Sequence, residues 1–433
     1  MEYVRTTTLG DATVPSPLRR STVVGDGVAK YVTDDCFVRY SVELGGDSSN
    51  EPDLAFEKAG PRQRLFFNPA ATRAAIVTCG GLCPGLNNVI RSAFLELHKN
   101  HGVNEVFGIR YGYQGLSPTA IEPPLRLTMD IVDDIHEEGG TILGSSRGSP
   151  TVEAMVDFLV AQRINILFCV GGDGTQRGAH AIFEESQRRG LKIAIVGIPK
   201  TIDNDVEYCT RTFGYTTAVA EAERVLACAH VEAKGAINGI GLVKVMGRDA
   251  GFIAAGATLA SQESNFTLIP EVPFALDGDQ GFLKALHRRI LARHHALIVV
   301  AEGAGQDLFA KRSQQRDASG NVLNEDIGLL LKQEIIAYFE KNGPKVALKY
   351  IDPSYIVRSV PANCEDDVLC DQYARHAVHA AMAGKTDIIV GHVSGMFVYV
   401  PITMAIAKKR HLRVEGEFWN SVLAATGQPQ RFF

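Results

Sequence analysis

One stretch constrains the fold more than any other: Ile166-Leu167-Phe168-Cys169-Val170-Gly171-Gly172-Asp173-Gly174-Thr175. An apolar run breaks into a glycine-rich turn, and helical spacing follows from about Gln176. That reads as a buried strand, a tight turn and a helix start. Such a turn lets phosphate oxygens reach bare backbone N–H groups at the positive end of a helix dipole. Asp173 places one carboxylate in the same turn, where a Mg2+ ion could join the phosphates. The same residues would also suit a plain strand-to-helix turn whose glycines only permit packing.

The rhythm repeats. A strand over residues 74–78 runs into Cys79-Gly80-Gly81-Leu82-Cys83-Pro84-Gly85, with Pro84 suited to a helix start and helical spacing over 89–97. Further apolar strands are expected at 106–109, 193–198, 240–245, 266–271 and 296–301, and a strand pair within 386–400. Residues 131–138 read as a helix and 350–358 as a short extended segment. Apolar strands alternating with helices imply parallel sheets covered on both faces. The units are too many for one sheet. The expected fold class is α/β, with two Rossmann-like three-layer domains, mainly parallel sheets and an active site in the interdomain cleft. In such folds ligands sit outside the carboxyl ends of the strands, and the main polar clusters fall there.

Composition narrows the function classes. The 433 residues are 45% hydrophobic and 21% charged, ordinary for a globular chain with more than one core. A net charge of −5 gives no basic surface for nucleic acid or an anionic membrane, so any phosphate site must be local. Eight cysteines without framework spacing point to reduced thiols and an intracellular, cytoplasmic protein. Cys79 and Cys83 have no second Cys or His pair nearby, so core or turn thiols are expected rather than zinc ligands. No apolar stretch reaches the roughly 18–20 residues that span a bilayer. The first residues carry no apolar segment of a signal peptide.

Three turns suit phosphate: Gly80-Gly81, Ser145-Ser146-Arg147-Gly148 and Gly171 to Thr175. No Walker A loop and no complete G-x-G-x-x-G is present. Arg147 could clamp a transferring phosphoryl group. Pro199-Lys200-Thr201-Ile202-Asp203-Asn204-Asp205 sets a lysine and two carboxylates after a buried strand. Asp203 could accept a proton from an attacking hydroxyl, and Lys200 could neutralise phosphoryl charge. An Asx-rich turn is the plainer alternative. Met246-Gly247-Arg248 and Glu302 offer a cation and an acceptor at two further strand ends, and Tyr355 and Arg358 add a hydroxyl and a second cation.

Together these motifs resemble the 6-phosphofructokinase family. Gly171-Gly172-Asp173-Gly174-Thr175, Pro199 to Asp205, Met246-Gly247-Arg248, Ala301-Glu302-Gly303 and Tyr355-x-x-Arg358 occur in family order, from about Lys58 to about Pro401. Cys79 to Gly85 and Lys349-Tyr350-Ile351-Asp352-Pro353 are similar to the long-chain branch of plants, trypanosomatids and some bacteria, the plant type above all. The resemblance implies transfer of the γ-phosphate of ATP to the C1 hydroxyl of fructose 6-phosphate, with Mg2+. It implies that Gly81, Arg147, Gly172, Asp173, Gly174 and Thr175 line the nucleotide phosphates, with Asp173 serving the metal. Asp203 would be the base, assisted by Lys200 and Arg147, with Gly174 selecting the donor. Thr201, Asp203, Met246, Gly247, Arg248, Glu302, Tyr355 and Arg358 would hold the sugar phosphate. On this resemblance, residues 1–70 are an N-terminal extension packed on the body, and 71–210 plus about 360–401 an ATP-binding domain. Residues 211–359 are then a fructose 6-phosphate-binding domain and 402–433 a C-terminal extension. A homotetramer is implied, a dimer being the other option, with no nucleic-acid or membrane partner.

Two positions bear on the phosphoryl donor. Pyrophosphate-using members carry Asp where Gly174 stands, and a carboxylate there would crowd and repel the α-phosphate of a nucleotide, so Gly174 favours ATP. Lys200 is the residue of pyrophosphate enzymes, but a lysine can assist either donor. One departure is that Asn238-Gly239-Ile240-Gly241 lacks the arginine that short bacterial members lend to a neighbouring subunit's sugar phosphate. Their allosteric circuit is therefore not expected to carry over.

Overall fold

A computed structural model gives the fold, described for residues 1–43, 52–146, 148–309 and 323–433. The chain divides into two compact units. The first holds Met1–Thr201, Val206–Gly214 and Ser359–Lys409, and the second holds Ile202–Asp205, Tyr215–Arg358 and Arg410–Phe433.

The first unit is built on a sheet whose middle is parallel. Glu105–Ile109, Arg73–Thr78, Ile166–Gly171, Ala194–Pro199 and Ile388–Val393 lie side by side in that order, all parallel. Every residue of Ile166–Gly171 and Ala194–Pro199 is buried, which is why these strands read as continuous apolar runs without alternation. The expected strand pair is present: Ile388–Val393 turns back antiparallel into Met396–Pro401. Beyond it the sheet continues through Leu54–Lys58, which pairs with Glu2–Val4 and Phe37–Arg39. Residues near the N-terminus thus extend the sheet of this unit.

Three helices position the side chains of chemical interest in this unit. Helix α1 (Leu86–Leu95) leaves the Cys79–Gly85 turn and runs on into a π-helical turn, Glu96–His101. Helix α2 (Asp173–Arg188) follows Gly172 and buries Thr175, Ala179, Ile182 and Ser186, one stripe at helical spacing. Helix α3 (Cys364–Met382) is capped by Asn363, whose side chain accepts from Asp366 N at 3.0 Å. Glu365, Asp366 and Asp367 in its first turn complement the dipole.

The second unit has an all-parallel sheet in the order Phe266–Leu268, His295–Ala301, Gly239–Val245, Ala347–Ile351. Its core gathers Leu242, Phe266, Phe282, Ile298 and Leu331, and Phe432 near the C-terminus packs edge-on to Phe282 at 5.5 Å. Burying one such ring contributes about 1.5–3 kcal/mol.

Local structure departs from the sequence expectation in four places. Helix α2 starts at Asp173, not near Gln176. Residues 131–138 are no single helix but two short turns, Met129–Val132 and Ile135–Glu137. The strand expected over 266–271 ends at Leu268. The 350–358 segment is extended only to Ile351 and closes in a helical turn, Ile356–Ser359.

Candidate active site

Parallel strands send all their carboxyl ends to one edge of a sheet, so sequence-distant turns become neighbours there. In the first unit, Arg73–Thr78, Ile166–Gly171 and Ala194–Pro199 deliver the turns that begin at Cys79, Gly172 and Lys200. Lys200 knits them together. Its N–H donates to Gly171 O at 3.2 Å, and its Nζ donates to Gly81 O at 2.5 Å. The third turn joins at the same edge: the Ser145 hydroxyl donates to Gly80 O, and Gly80 N–H to Ser146 O at 3.3 Å. Arg147, the next residue, lies outside the described residues.

Asp173, Gly174 and Thr175 form the first turn of α2; the N–H groups that open a helix have no intrahelical acceptor, although Thr175 N–H donates to Gly172 O at 2.9 Å. A side chain at Gly171 would force Thr175 to move, because a Cβ would stand 2.1 Å from Thr175 Oγ1. Gly174 by contrast is exposed. Tyr113 fixes the turn from below, donating its hydroxyl to Thr175 O at 2.7 Å. Burial pushes the Cys79 thiol up to about 12, and Cys83 donates to Phe213 O at 3.3 Å, so both are buried thiols of the turn. Asp173 meets Lys409 Nζ at 3.5 Å.

In the second unit, Gly239–Val245 ends at Met246-Gly247-Arg248, His295–Ala301 at Glu302, and Ala347–Ile351 at the segment carrying Tyr355 and Arg358. Asp203 joins them: its Oδ2 accepts from Arg248 N–H at 3.4 Å. The two central turns are interlocked through Glu302 N–H to Val245 O at 2.9 Å and Gly303 N–H to Gly247 O at 3.1 Å. A Cβ on Gly303 would stand 1.8 Å from Arg248 O, so only glycine permits this approach. Gly247 has φ +126°, a conformation that L side chains rarely adopt. Burial pushes the Glu302 carboxyl above its ordinary value, against the pull of Arg248, Lys244 and Arg358. The Arg358 guanidinium covers the Tyr355 ring at 4.8 Å.

The expected residues therefore form two groups. Gly81, Gly172 to Thr175, Lys200 and Thr201 belong to the first unit; Asp203, Met246, Gly247, Arg248, Glu302, Tyr355 and Arg358 belong to the second. Several supports do not show in the sequence motifs. Arg410 donates through Nη1 to Asn204 O at 3.0 Å and through its backbone N–H to Asp205 O at 2.9 Å, holding the segment that carries Asp203. Lys244 ties Asp326 at 2.9 Å to Asp352 at 3.0 Å, beside the strand-end turns of the second unit. The run Lys408-Lys409-Arg410 is the one signal that could have pointed to Arg410, three successive cations beyond the strand pair.

Known proteins resemble this chain in sequence and in fold. The sequence profile of the family described as phosphofructokinase matches residues 73–381. An ATP-dependent 6-phosphofructokinase of Borreliella burgdorferi is 49% identical over 411 residues, spanning 93% of this chain and 92% of its own. ATP-dependent 6-phosphofructokinase 7 of Arabidopsis thaliana is 45% identical, spanning 96% of this chain and 85% of its own. Among solved structures, a pyrophosphate-dependent phosphofructokinase from Marinobacter aquaeolei superposes with TM-score 0.65 at 20% identity, covering 83% of this chain and 93% of that one. Phosphofructokinase from Saccharomyces cerevisiae gives 0.63 at 22%, covering 82% and 47%. At such identity the structures speak for the fold alone, whereas the sequence matches speak for descent. The chain belongs to the phosphofructokinase family.

Proposed function

We propose that this chain transfers the γ-phosphoryl group of ATP to the C1 hydroxyl of fructose 6-phosphate, giving fructose 1,6-bisphosphate and ADP. The observation that carries the reading is the sugar-side edge, where Asp203 and Arg248 meet and Glu302 stands on the adjoining turn. Phosphoryl transfer needs little covalent chemistry from a protein. It needs an oriented nucleophile and charge stabilisation on the transferring group.

In this reading Asp203 accepts the C1 hydroxyl proton as its oxygen attacks phosphorus. Arg248, Arg358 and the backbone of Met246-Gly247 hold the sugar phosphate, with Thr201 and Tyr355 supplying hydroxyls and Glu302 accepting from a sugar hydroxyl. The N–H groups at the start of α2, with Gly81, Arg147 and Lys200, hold the donor phosphates and offset their charge. Asp173 suits Mg2+: it is a hard oxygen donor in a phosphate-type turn, and a cation, Lys409 Nζ, already stands 3.5 Å from it. Asp173 would hold the ion, which supplies charge neutralisation of the phosphate oxygens when bound.

Gly174 favours a nucleotide donor, and the Borreliella and Arabidopsis relatives are named as ATP-dependent. Lys200 is the residue that favours the second reading, a pyrophosphate-dependent transferase. Initial rates with purified protein, fructose 6-phosphate and Mg2+ decide between them: ADP formation with ATP is expected, and its absence overturns the proposal. A faster reaction with pyrophosphate selects the second reading. Among the described residues no helix is long and apolar enough to cross a membrane. A cytoplasmic homotetramer completes the proposal, checked by light scattering for the assembly.

A further inference from the structure

Away from both strand-end edges, the first unit gathers three ligand-type side chains in its interior: Glu96, His101 and His379. Glu96 and His101 open and close the π-helical turn that continues α1, and His379 lies near the end of α3. All three are buried. One carboxylate oxygen and one nitrogen of each imidazole lie within 4.8 Å of one another.

Glu96 is hydrogen-bonded to neither imidazole, although the carboxylate oxygen faces both. Glu96 Oε1 stands 3.9 Å from His101 Nε2 and 3.7 Å from His379 Nε2, beyond hydrogen-bond length to either. His101 Nε2 and His379 Nδ1 are 3.3 Å apart, within hydrogen-bond length, and an ion would take one nitrogen of each ring in place of that bond. Donors bound to one ion at about 2.0–2.2 Å in a tetrahedral arrangement are separated by about 3.3–3.6 Å. The other carboxylate oxygen is already committed: Glu96 Oε2 accepts from Asn100 Nδ2 at 2.5 Å and pairs with Arg375. Arg375 in turn meets Asp371 at 2.7 Å, so its charge is answered from a second side. Two further buried imidazole nitrogens, His101 Nδ1 and His376 Nδ1, have no hydrogen-bond partner among the described residues. An ion bound at His101 Nε2 leaves His101 Nδ1, on the far side of the ring, to a water. The His376 ring lies 6.2 Å from that of His379. A π-helical turn is also a local irregularity that recurs at functional positions.

We propose that Glu96, His101 and His379 bind a divalent transition ion, with Zn2+ the best match to two imidazoles and one carboxylate. Imidazole ligation selects such ions over Mg2+. With three protein donors the fourth position falls to a water, and the role proposed for the ion is to brace the fold, since the cluster lies apart from the strand-end turns. Helix α1 starts beside the Gly80-Gly81 turn, and its ten residues put the cluster about 15 Å further along. The ion clamps the far end of α1 to α3.

The test uses the full-length, tag-free chain. Protein stripped with EDTA and desalted is incubated with ZnCl2, desalted again and measured for metal content by mass spectrometry. About one Zn2+ per chain is expected, with the unfolding midpoint raised by a few degrees over stripped protein. His101→Gln and His379→Gln should each cut retained zinc at least about tenfold. Because the chain holds free cysteines, Co2+ replaces Zn2+ in a second arm. A visible d–d spectrum without thiolate charge transfer is expected. Wild-type protein that retains no zinc, zinc retention unchanged in both variants, or a thiolate spectrum overturns the proposal. Should a variant fail to fold, wild-type stoichiometry and the cobalt spectrum decide.

Discussion

Gly174→Asp tests the donor argument at one atom's distance from the backbone. Gly174 is exposed in the first turn of α2, so the new side chain meets no core packing. A carboxylate at a helix N-terminus is favourable by about 0.3–1 kcal/mol, so the fold should hold and its melting temperature should not fall. The cost falls on the nucleotide. A full negative charge about 4 Å from a phosphate oxygen costs about 4 kcal/mol at an effective dielectric constant of about 20. At about 1.4 kcal/mol per decade this is a loss of about a thousandfold in kcat/KM for ATP. Coupled detection of ADP, with circular dichroism as the check on folding, measures it. A folded variant whose kcat/KM for ATP stays within a few-fold of the parent refutes the reasoning. Gly174 would then be one exposed residue of an ordinary strand-to-helix turn.

Three further outcomes are expected. Asp203→Asn should lower kcat by about 10²–10⁴-fold while fructose 6-phosphate binding, followed by calorimetry, survives; preserved turnover removes Asp203 from the base role. Arg410→Ala removes charged hydrogen bonding from the Asn204 carbonyl, worth about 1.5–3 kcal/mol, and should lower kcat by about 10–100-fold through loss of Asp203 positioning. An unchanged kcat would reduce Arg410 to a surface role. Glu302 carries a raised pKa from burial, so its neutral form is favoured by folding: it adds stability below the ordinary carboxylate range that is lost as pH rises through its folded value. Its accepting, ionised form follows the opposite course, so KM for fructose 6-phosphate should rise as pH falls through that raised value. Above the ordinary carboxylate range the Glu302→Gln profile should be flatter, and an unaltered profile sinks the assignment.

Much of the strand framework was legible because burial on both faces leaves a composition signal. Ile166–Gly171 and Ala194–Pro199 are apolar throughout since helices cover them, and glycine-rich or acidic turns mark their ends. Helix α2 begins three residues earlier than its spacing suggests because Gly174 has poor helix propensity, while its place after Gly172 lets the dipole begin there. The turn Ile356–Ser359 is invisible in the sequence because four residues carry no period. The π-helical turn Glu96–His101 is hidden for a different reason: its partner in α3, His379, lies 278 residues further along the chain than His101.

Sequence alone determined the chemistry on offer: which turns can approach phosphate, which carboxylates follow buried strands, and which family the motifs resemble. These are local properties, written in consecutive residues. Tertiary structure decided which unit each residue serves. Asp203 stands three residues from Lys200, yet it belongs with Arg248, while Lys200 binds Gly81. It also recruited Arg410 to a segment 206 residues earlier. Such pairings depend on sheet order and chain return, which no short window of sequence contains.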